Sequence, residues 1–351
     1  MVLESFEIIR VLLLTAVSFV VAILWLPLLL KMLIRFDMGK SIRQAKDAPV
    51  FAGLHAKKSG TPTMGGILVW ATVTVVAVVL WLVSVVFPNS VLGDWNFLTR
   101  AQTLLPLGAL VAAALVGLAD DYFNVRKIGP GGGGLKLRHK LLLYLGMALV
   151  GAWWFTVKLD WDLLHIPFMG SYNIGLWYVP FFLLVIVATS FSVNETDGLD
   201  GLAGGTLFTS FGAFAIIAFA QGKYDLAAFC GVIIGALLAF LWANINPAKW
   251  FMGDTGSMSL GVTLGIVALL TNSALFLPFI GLIFVMESLS VIIQLTSKKI
   301  RKRKIFLSTP VHHHFEALGW PESAIVMRFW VISMVSAAVG TALALLDALI
   351  T

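Results

Sequence analysis

Ten runs of apolar residues leave this chain few ways to fold. They lie at roughly 8–34, 64–87, 102–119, 139–157, 174–193, 202–221, 226–244, 256–271, 275–297 and 323–348. Each is close to the ~20 residues a helix needs to cross ~30 Å of hydrocarbon. Continuous runs exclude a membrane β-barrel, whose strands alternate over ~10 residues. A soluble fold is excluded by what lies around them. Of 351 residues, 59% are hydrophobic and 12% charged, more apolar surface than a water-facing exterior tolerates. The expected class is all-α: a polytopic integral membrane protein of ten transmembrane helices, one domain over 1–351. Only Asn272-Ser273-Ala274 separates the eighth and ninth runs, which predicts a tight hairpin. No small-residue cleavage site follows the first run, so it is expected to stay as a span.

Loop charge orients the bundle. Of the 24 lysines and arginines, twenty fall on one side, and Arg10, Arg100, Lys158 and Lys223 on the other. Cytoplasmic loops carry the excess of Lys and Arg, so both termini are expected outside and the charged loops inside. The net charge of +6 thus belongs to the topology, and no nucleic-acid partner is expected. The outer loops carry Trp95, Phe97, Trp161 and Phe168, which suit interfacial anchoring. The single cysteine, Cys230, lies in an apolar run, so no intramolecular disulfide is possible.

Five inner segments are more polar than loops require. His55–Gly66 sets Lys57 and Lys58 beside hydroxyls and glycines, suited to oligophosphate oxygens or simply to anchoring, with Thr63 as a helix cap. Asp120-Asp121 ends the third run. A solvated helix end explains the pair poorly, because the macrodipole disfavours acids at a C-terminus; a divalent cation or a proton would relieve their repulsion. Asn194, Asp197 and Asp200 are spaced three apart, so on a helical turn they would share a face. An N-cap for the sixth run explains one of these aspartates but not both. Asn244–Ser257 contains Phe251, able to stack on a base or to pack, and Asp254 between Gly253 and Gly256, able to cap a helix or hold a metal. Pro310–Glu316 contains His312, His313 and His314. Three consecutive histidines cannot share one helix face, so they do not make a tris-His metal site by themselves; one or two can bind a phosphate or a carboxylate. Before them, the basic run Lys298–Lys304 suits anionic membrane lipids. Within the ninth run, Glu287, Ser290 and Gln294 form a polar stripe that must face protein or a wet groove. Gly129–Gly134 reads as a flexible linker, not a phosphate-binding loop, since the Gly-Lys-Ser/Thr ending is missing. Carboxylates, lysines and room for Mg²⁺ are the means of phosphoryl transfer. These residues point to a membrane enzyme with a cleft on the cytoplasmic face that takes a phosphorylated substrate.

In this order the segments resemble the phospho-N-acetylmuramoyl-pentapeptide-transferase family, within the polyprenyl-phosphate N-acetylhexosamine-1-phosphate transferases. The resemblance rests on Thr61–Gly66, Asp120-Asp121-Tyr122, Thr196–Ala203, Phe251–Ser257 and the His-His-His-Phe-Glu of 312–316, and spans essentially the whole chain. Two positions depart: the family's Asp-Asp-x-x-Lys has Asn124 in last place, with Lys127 and Lys140 as stand-ins, and its Asn-Leu-Thr-Asp has Glu195.

The resemblance implies transfer from UDP-N-acetylmuramoyl-pentapeptide to undecaprenyl phosphate, giving lipid I and UMP, with Mg²⁺ required. It implies a bacterial cytoplasmic (inner) membrane location and a homodimer. Asp120, Asp121, Asp254 and His313 would be catalytic, with Asp254 and Asp121 holding the metal. Lys58, Thr63, Lys140, Asn194, Asp197, Gly198, Asp200, Asn244, Phe251, Gly253, Ser257, Gln294, His312 and His314 would bind substrate. Direct attack by the lipid phosphate and a covalent aspartyl-phosphate both remain open. An N-acetylglucosamine-1-phosphate transferase is the alternative within the class. A transporter would keep its polar groups near the midplane, and a scaffold would not need so many acids at one face.

Overall fold

The computed structural model describes residues 2–39, 58, 60–129 and 134–350. The other residues of the Lys57 loop and of the glycine linker at 130–133 lie outside the described residues. Among the described residues the regular structure is helical apart from one hairpin and an isolated bridge between Gly39 and Pro62. Its helices are α1 (Val2–Arg35), α2 (Ile67–Val86), α3 (Leu104–Val125), α4 (Leu137–Trp153), α5 (Tyr178–Thr196), α6 (Leu202–Ala220), α7 (Tyr224–Asn244), α8 (Gly253–Leu270), α9 (Leu277–Ile280), α10 (Leu282–Ile300), α11 (Val311–Ala317) and α12 (Glu322–Ile350). Among the described residues nine helices are long and apolar enough to cross a membrane, or ten if one bent pair is a single span.

That bent pair is the main departure from the expected spans. The ninth run is not one straight helix: α9 and α10 meet at 86°. Gly281 ends α9 and begins α10, and Pro278 near the start of α9 lacks the N–H that would continue a longer helix upstream. The third run continues past its expected end at 119 to Val125, which draws Asp120 and Asp121 into the helix, where both are buried. The tight turn at 272–274 is present, with Asn272 at φ 51°.

α8 runs through the centre, buried along almost its whole length, packed against α3 and α5. In lipid, helices associate through close packing, so small residues gather at their contacts. α8 is rich in Gly, Ser and Thr. Its entry is tight at Gly117 of α3, where a Cβ would stand 2.3 Å from the backbone oxygen of Asp254. α1 packs on α7, and α12 on α6. Their outward faces carry Leu12, Leu24, Leu28, Val331 and Val335, as expected where lipid is the solvent.

At the end away from the acidic segments, Arg10 is buried and paired with Glu7 at 2.7 Å and Asp225 at 2.6 Å. An antiparallel hairpin of β1 (Leu163–Ile166) and β2 (Gly170–Asn173) lies there too. His165 and the backbone N–H of Phe168 both meet Asp347 near the end of α12.

The α3–α8 contact yields a testable expectation. Gly117→Ala should lower the melting temperature in detergent, by about 1–3 kcal/mol of overpacking. Gly108→Ala on the same helix, with open space around it, should leave the melt unchanged or raise it. Equal melts for the two variants would refute the close-packing account.

Candidate active site

α3, α4, α5 and α8 bring their polar ends to one point. Lys140, in the first turn of α4, stands with its ammonium 2.9 Å from Asp120 Oδ2 and 2.6 Å from Asp254 Oδ2. Asp120 Oδ1 accepts the Leu135 N–H at 2.5 Å. On the other side of Asp254, Asn194 at the end of α5 donates to Asp254 Oδ1 at 2.5 Å and to Ser257 Oγ at 2.9 Å. Asp197 Oδ2 accepts the Gly253 N–H at 3.2 Å. Asp120, Asp197 and Asp254 therefore meet at one end of the bundle, as expected. Of the two lysines that could stand in for Asn124, Lys140 reaches the acids, while Lys127 is exposed.

Asp121 has a different setting from the metal role expected of it. Its Oδ1 accepts the N–H of Asp254 at 3.0 Å and its Oδ2 that of Thr255 at 3.0 Å. It caps α8 from a neighbouring helix, meeting donors that a helix start leaves unpaired. No residue caps α8 locally. Gly253 fits beneath it: its φ is +74°, and a Cβ would lie 2.5 Å from Asp121 Oδ2.

A second acidic cluster lies alongside. Lys58 is paired with Asp200 at 2.6 Å and with Glu322 at 2.5 Å, and its ammonium is 5.9 Å from the centre of the Phe251 ring. Asp200 Oδ2 also accepts Asn246 Nδ2 at 3.0 Å and the Ala248 N–H at 3.1 Å. Asp197 and Asp200 do not share a helix face. α5 ends at Thr196, and the chain turns through Gly201 at φ +83° before α6, so the two carboxylates diverge. Neither caps α6, and no side chain caps α2, so Thr63 is not a cap either. Thr63 is buried beneath Gly253 instead.

Two expected substrate contacts are engaged internally. Asn244 accepts the Gly201 N–H at 3.0 Å and donates to the Trp250 carbonyl at 2.9 Å. Gln294 accepts from the N–H of Ile305 and of Phe306 and donates to the Phe306 carbonyl. Both brace loops, Asn244 the turn at 201 and the 250 segment, Gln294 the 305–306 segment. The polar stripe of α10 is buried, as its composition requires.

The three histidines diverge, as three neighbours on one turn must. His312 is fully buried with Nδ1 3.0 Å from Glu287 Oε2, against Gly198, where a Cβ would lie 2.2 Å from the imidazole. His313 Nδ1 lies 2.6 Å from Glu316, and His314 Nδ1 accepts the Leu307 N–H. Burial pushes the His312 pKa down, but the charge and hydrogen bond of Glu287, added to the charges of Glu316 and Glu195, together outweigh it, and the net direction is up from 6.5. Glu322 escaped the sequence reading, and Asn246 entered it only as part of the 244–257 segment. Glu322 follows a proline at the head of a helix, where an acid reads as an ordinary first-turn residue.

Mg²⁺ commonly takes one or two carboxylates and completes its shell with water and substrate phosphates. Among the described residues no group of three or more His, Cys, Asp or Glu is poised as a closed metal cage. Asp120 and Asp254 face one cation position, held here by the Lys140 ammonium, which fits a metal completed by substrate.

The fold and this cluster define a polytopic membrane protein with an acid–lysine site built from the ends of its helices. Residues 103–272 match Glycosyl transferase family 4, and residues 58–68 match the phospho-N-acetylmuramoyl-pentapeptide-transferase signature 1. The phospho-N-acetylmuramoyl-pentapeptide-transferase of Chloroflexus aurantiacus is 39% identical over 96% of this chain and 90% of its own. That of Geobacillus kaustophilus is 40% identical over 93% and 95%, and that of Clostridium novyi 37% over 92% and 94%. The chain belongs to the phospho-N-acetylmuramoyl-pentapeptide-transferase family.

Two outcomes follow from the geometry. Asp121→Ala strands two buried N–H groups and should cost about 1–3 kcal/mol of stability, seen as a lower melt. An unchanged melt with activity lost would return Asp121 to a ligand role. For His312, a folded pKa raised above the unfolded one gives stability that is full below the unfolded value and lost as pH rises through the folded one. The melting temperature should fall as pH climbs above about 6.5, and Glu287→Gln should flatten that slope. Parallel slopes in the two proteins would remove the pair from the pH response.

Proposed function

We infer that this chain transfers phospho-N-acetylmuramoyl-pentapeptide from its UDP-linked form to undecaprenyl phosphate, giving lipid I and UMP. The observation that carries the reading is the Asp120–Lys140–Asp254 cluster, set in a chain of this family. In the proposed topology α9 and α10 make one broken span, ten in all. Both termini lie outside, and the cleft opens to the cytoplasm from a bacterial inner membrane. The chain works as a single domain and a homodimer. The loop charges support the orientation.

Mg²⁺ is the proposed cofactor, held by Asp254 with Asp120 beside it in place of Asp121. When bound it would neutralise the pyrophosphate as negative charge shifts to the leaving nucleotide. Asp120 orients the incoming lipid phosphate and takes its proton. Lys140, which reaches both acids here, supplies a cation to the transferred phosphate. Asn194 holds Asp254 by Oδ1, leaving Oδ2 for the cation position that the Lys140 ammonium fills here. Lys58 and Phe251 receive the nucleotide end, the ammonium for phosphate oxygens and the ring for the base. The reaction is a single displacement, with no protein side chain phosphorylated.

Purified protein offered UDP-N-acetylmuramoyl-pentapeptide should release UMP only when both Mg²⁺ and a polyprenyl phosphate are present. Asp254→Asn should remove at least about 10²-fold of that rate while keeping the wild-type melt. Faster turnover of UDP-N-acetylglucosamine, or UMP release without the lipid acceptor, would overturn the reading.

A further inference from the structure

Glu322 opens α12, more than 120 residues along the chain from the turn it touches. Its Oε1 accepts the Asp200 backbone N–H at 2.7 Å and lies 2.5 Å from the Lys58 ammonium. Its Oε2 accepts from Asn246 Nδ2 at 3.2 Å. One carboxylate thus ties together three segments that converge on the cleft: the Lys58 loop, the 197–201 turn and the loop after α7. A second residue of α12 reinforces this, since Trp330 Nε1 donates to the Gly201 carbonyl at 3.1 Å. A surface acid serving only the α12 dipole would need none of these partners. Glu322 is instead largely enclosed, with its side chain 15% exposed.

The charge count gives the arrangement a direction. Lys58 is a flexible chain whose ammonium would fold onto Asp200 if Asp200 were its only anion. A second carboxylate, bridged to the first by Asn246, shares the ammonium, which lies within cation–π distance of Phe251. That is the edge of the cleft to which the proposed function assigns the nucleotide. We propose that Glu322 is a positioning residue for the UDP-linked substrate: it presents Lys58 to the phosphates and fixes the 197–201 turn, without touching the reacting atoms. The inference rests on the proposed function.

The test compares wild type with Glu322→Gln, Lys58→Met and the double variant, reading UMP release against each substrate separately. Glu322→Gln keeps an oxygen for the Asp200 N–H but loses the charge that holds Lys58. It should raise KM for UDP-N-acetylmuramoyl-pentapeptide about tenfold and change kcat and the polyprenyl phosphate KM less than about twofold. Because the effect runs through Lys58, the double variant should match Lys58→Met. A merely structural acid would instead lower kcat and the melting temperature with the nucleotide KM unmoved, or add its effect to that of Lys58→Met; either result overturns the proposal. If Glu322→Gln does not fold, Glu322→Asp is read in the same way, with a smaller shift of the same sign expected. Wild type that releases no UMP from this substrate removes the proposed function itself. Wild type that does, beside a Glu322→Gln enzyme with an unchanged nucleotide KM, removes only the role of Glu322.

Discussion

The N-terminus of α8 is buried among helices, and the Asp121 carboxylate is what makes that possible. A helix begins with several backbone N–H groups that no earlier turn can accept, and within a bilayer water is not there to take them. Asp121 takes two of these groups, those of Asp254 and Thr255. Asp197 takes the preceding one, from Gly253. The approach of α3 that this requires is open only because Gly117 has no Cβ to meet the Asp254 backbone. Asp254 then emerges at the positive end of the α8 dipole, opposite Asp120 on the neighbouring helix. The same dipole favours any anion that comes to the site.

Around that point the charges repeat one pattern. Lys140 lies between Asp120 and Asp254, and Lys58 lies between Asp200 and Glu322. Each trio holds one ammonium for two carboxylates, so with all groups ionised each carries one negative charge. In the first trio this leaves a demand for positive charge that a divalent cation would satisfy. In the second the lysine is shared by two acids, with its ammonium 5.9 Å from the centre of the Phe251 ring. Both trios join segments far apart in the chain, so site and tertiary structure form together.

That long-range character explains which parts were legible in the sequence. Apolar runs report spans directly, because the lipid requirement acts on each segment alone, and nine of the ten became continuous helices. The ninth broke at Gly281, whose effect depends on how α9 packs against α12. Polar residues announced their own importance but not their partners. Asp121 and Asp254 were visible as acids at span ends, yet the capping of one helix by a residue on another leaves no local pattern. Spacing placed Asp197 and Asp200 on one helical face, but Gly201 in a left-handed conformation ended that periodicity. Asn244 and Gln294 were expected as substrate contacts from the family resemblance, and a carboxamide looks the same in sequence whether it faces a ligand or a loop. Glu322 gave no signal because its position is one where an acid is ordinary.

The broken helix ties these strands together. A straight ninth span would carry Glu287, Ser290 and Gln294 through the bilayer with no ligand to justify them, a costly arrangement. The bend lets α10 lean so that this stripe is covered by its own following segment. Gln294 then fixes Ile305 and Phe306 through three hydrogen bonds, and Ser297 takes its place beside them by donating to the Arg303 carbonyl. With that loop fixed, α11 is delivered so that His312 meets Glu287 and closes over Gly198. The 197–201 turn is therefore flanked on one side by groups whose burial is offset only when the loop is in place. Opening that wall would expose Glu287 and His312 unpaired, which favours a preorganised site over one assembled when substrate arrives.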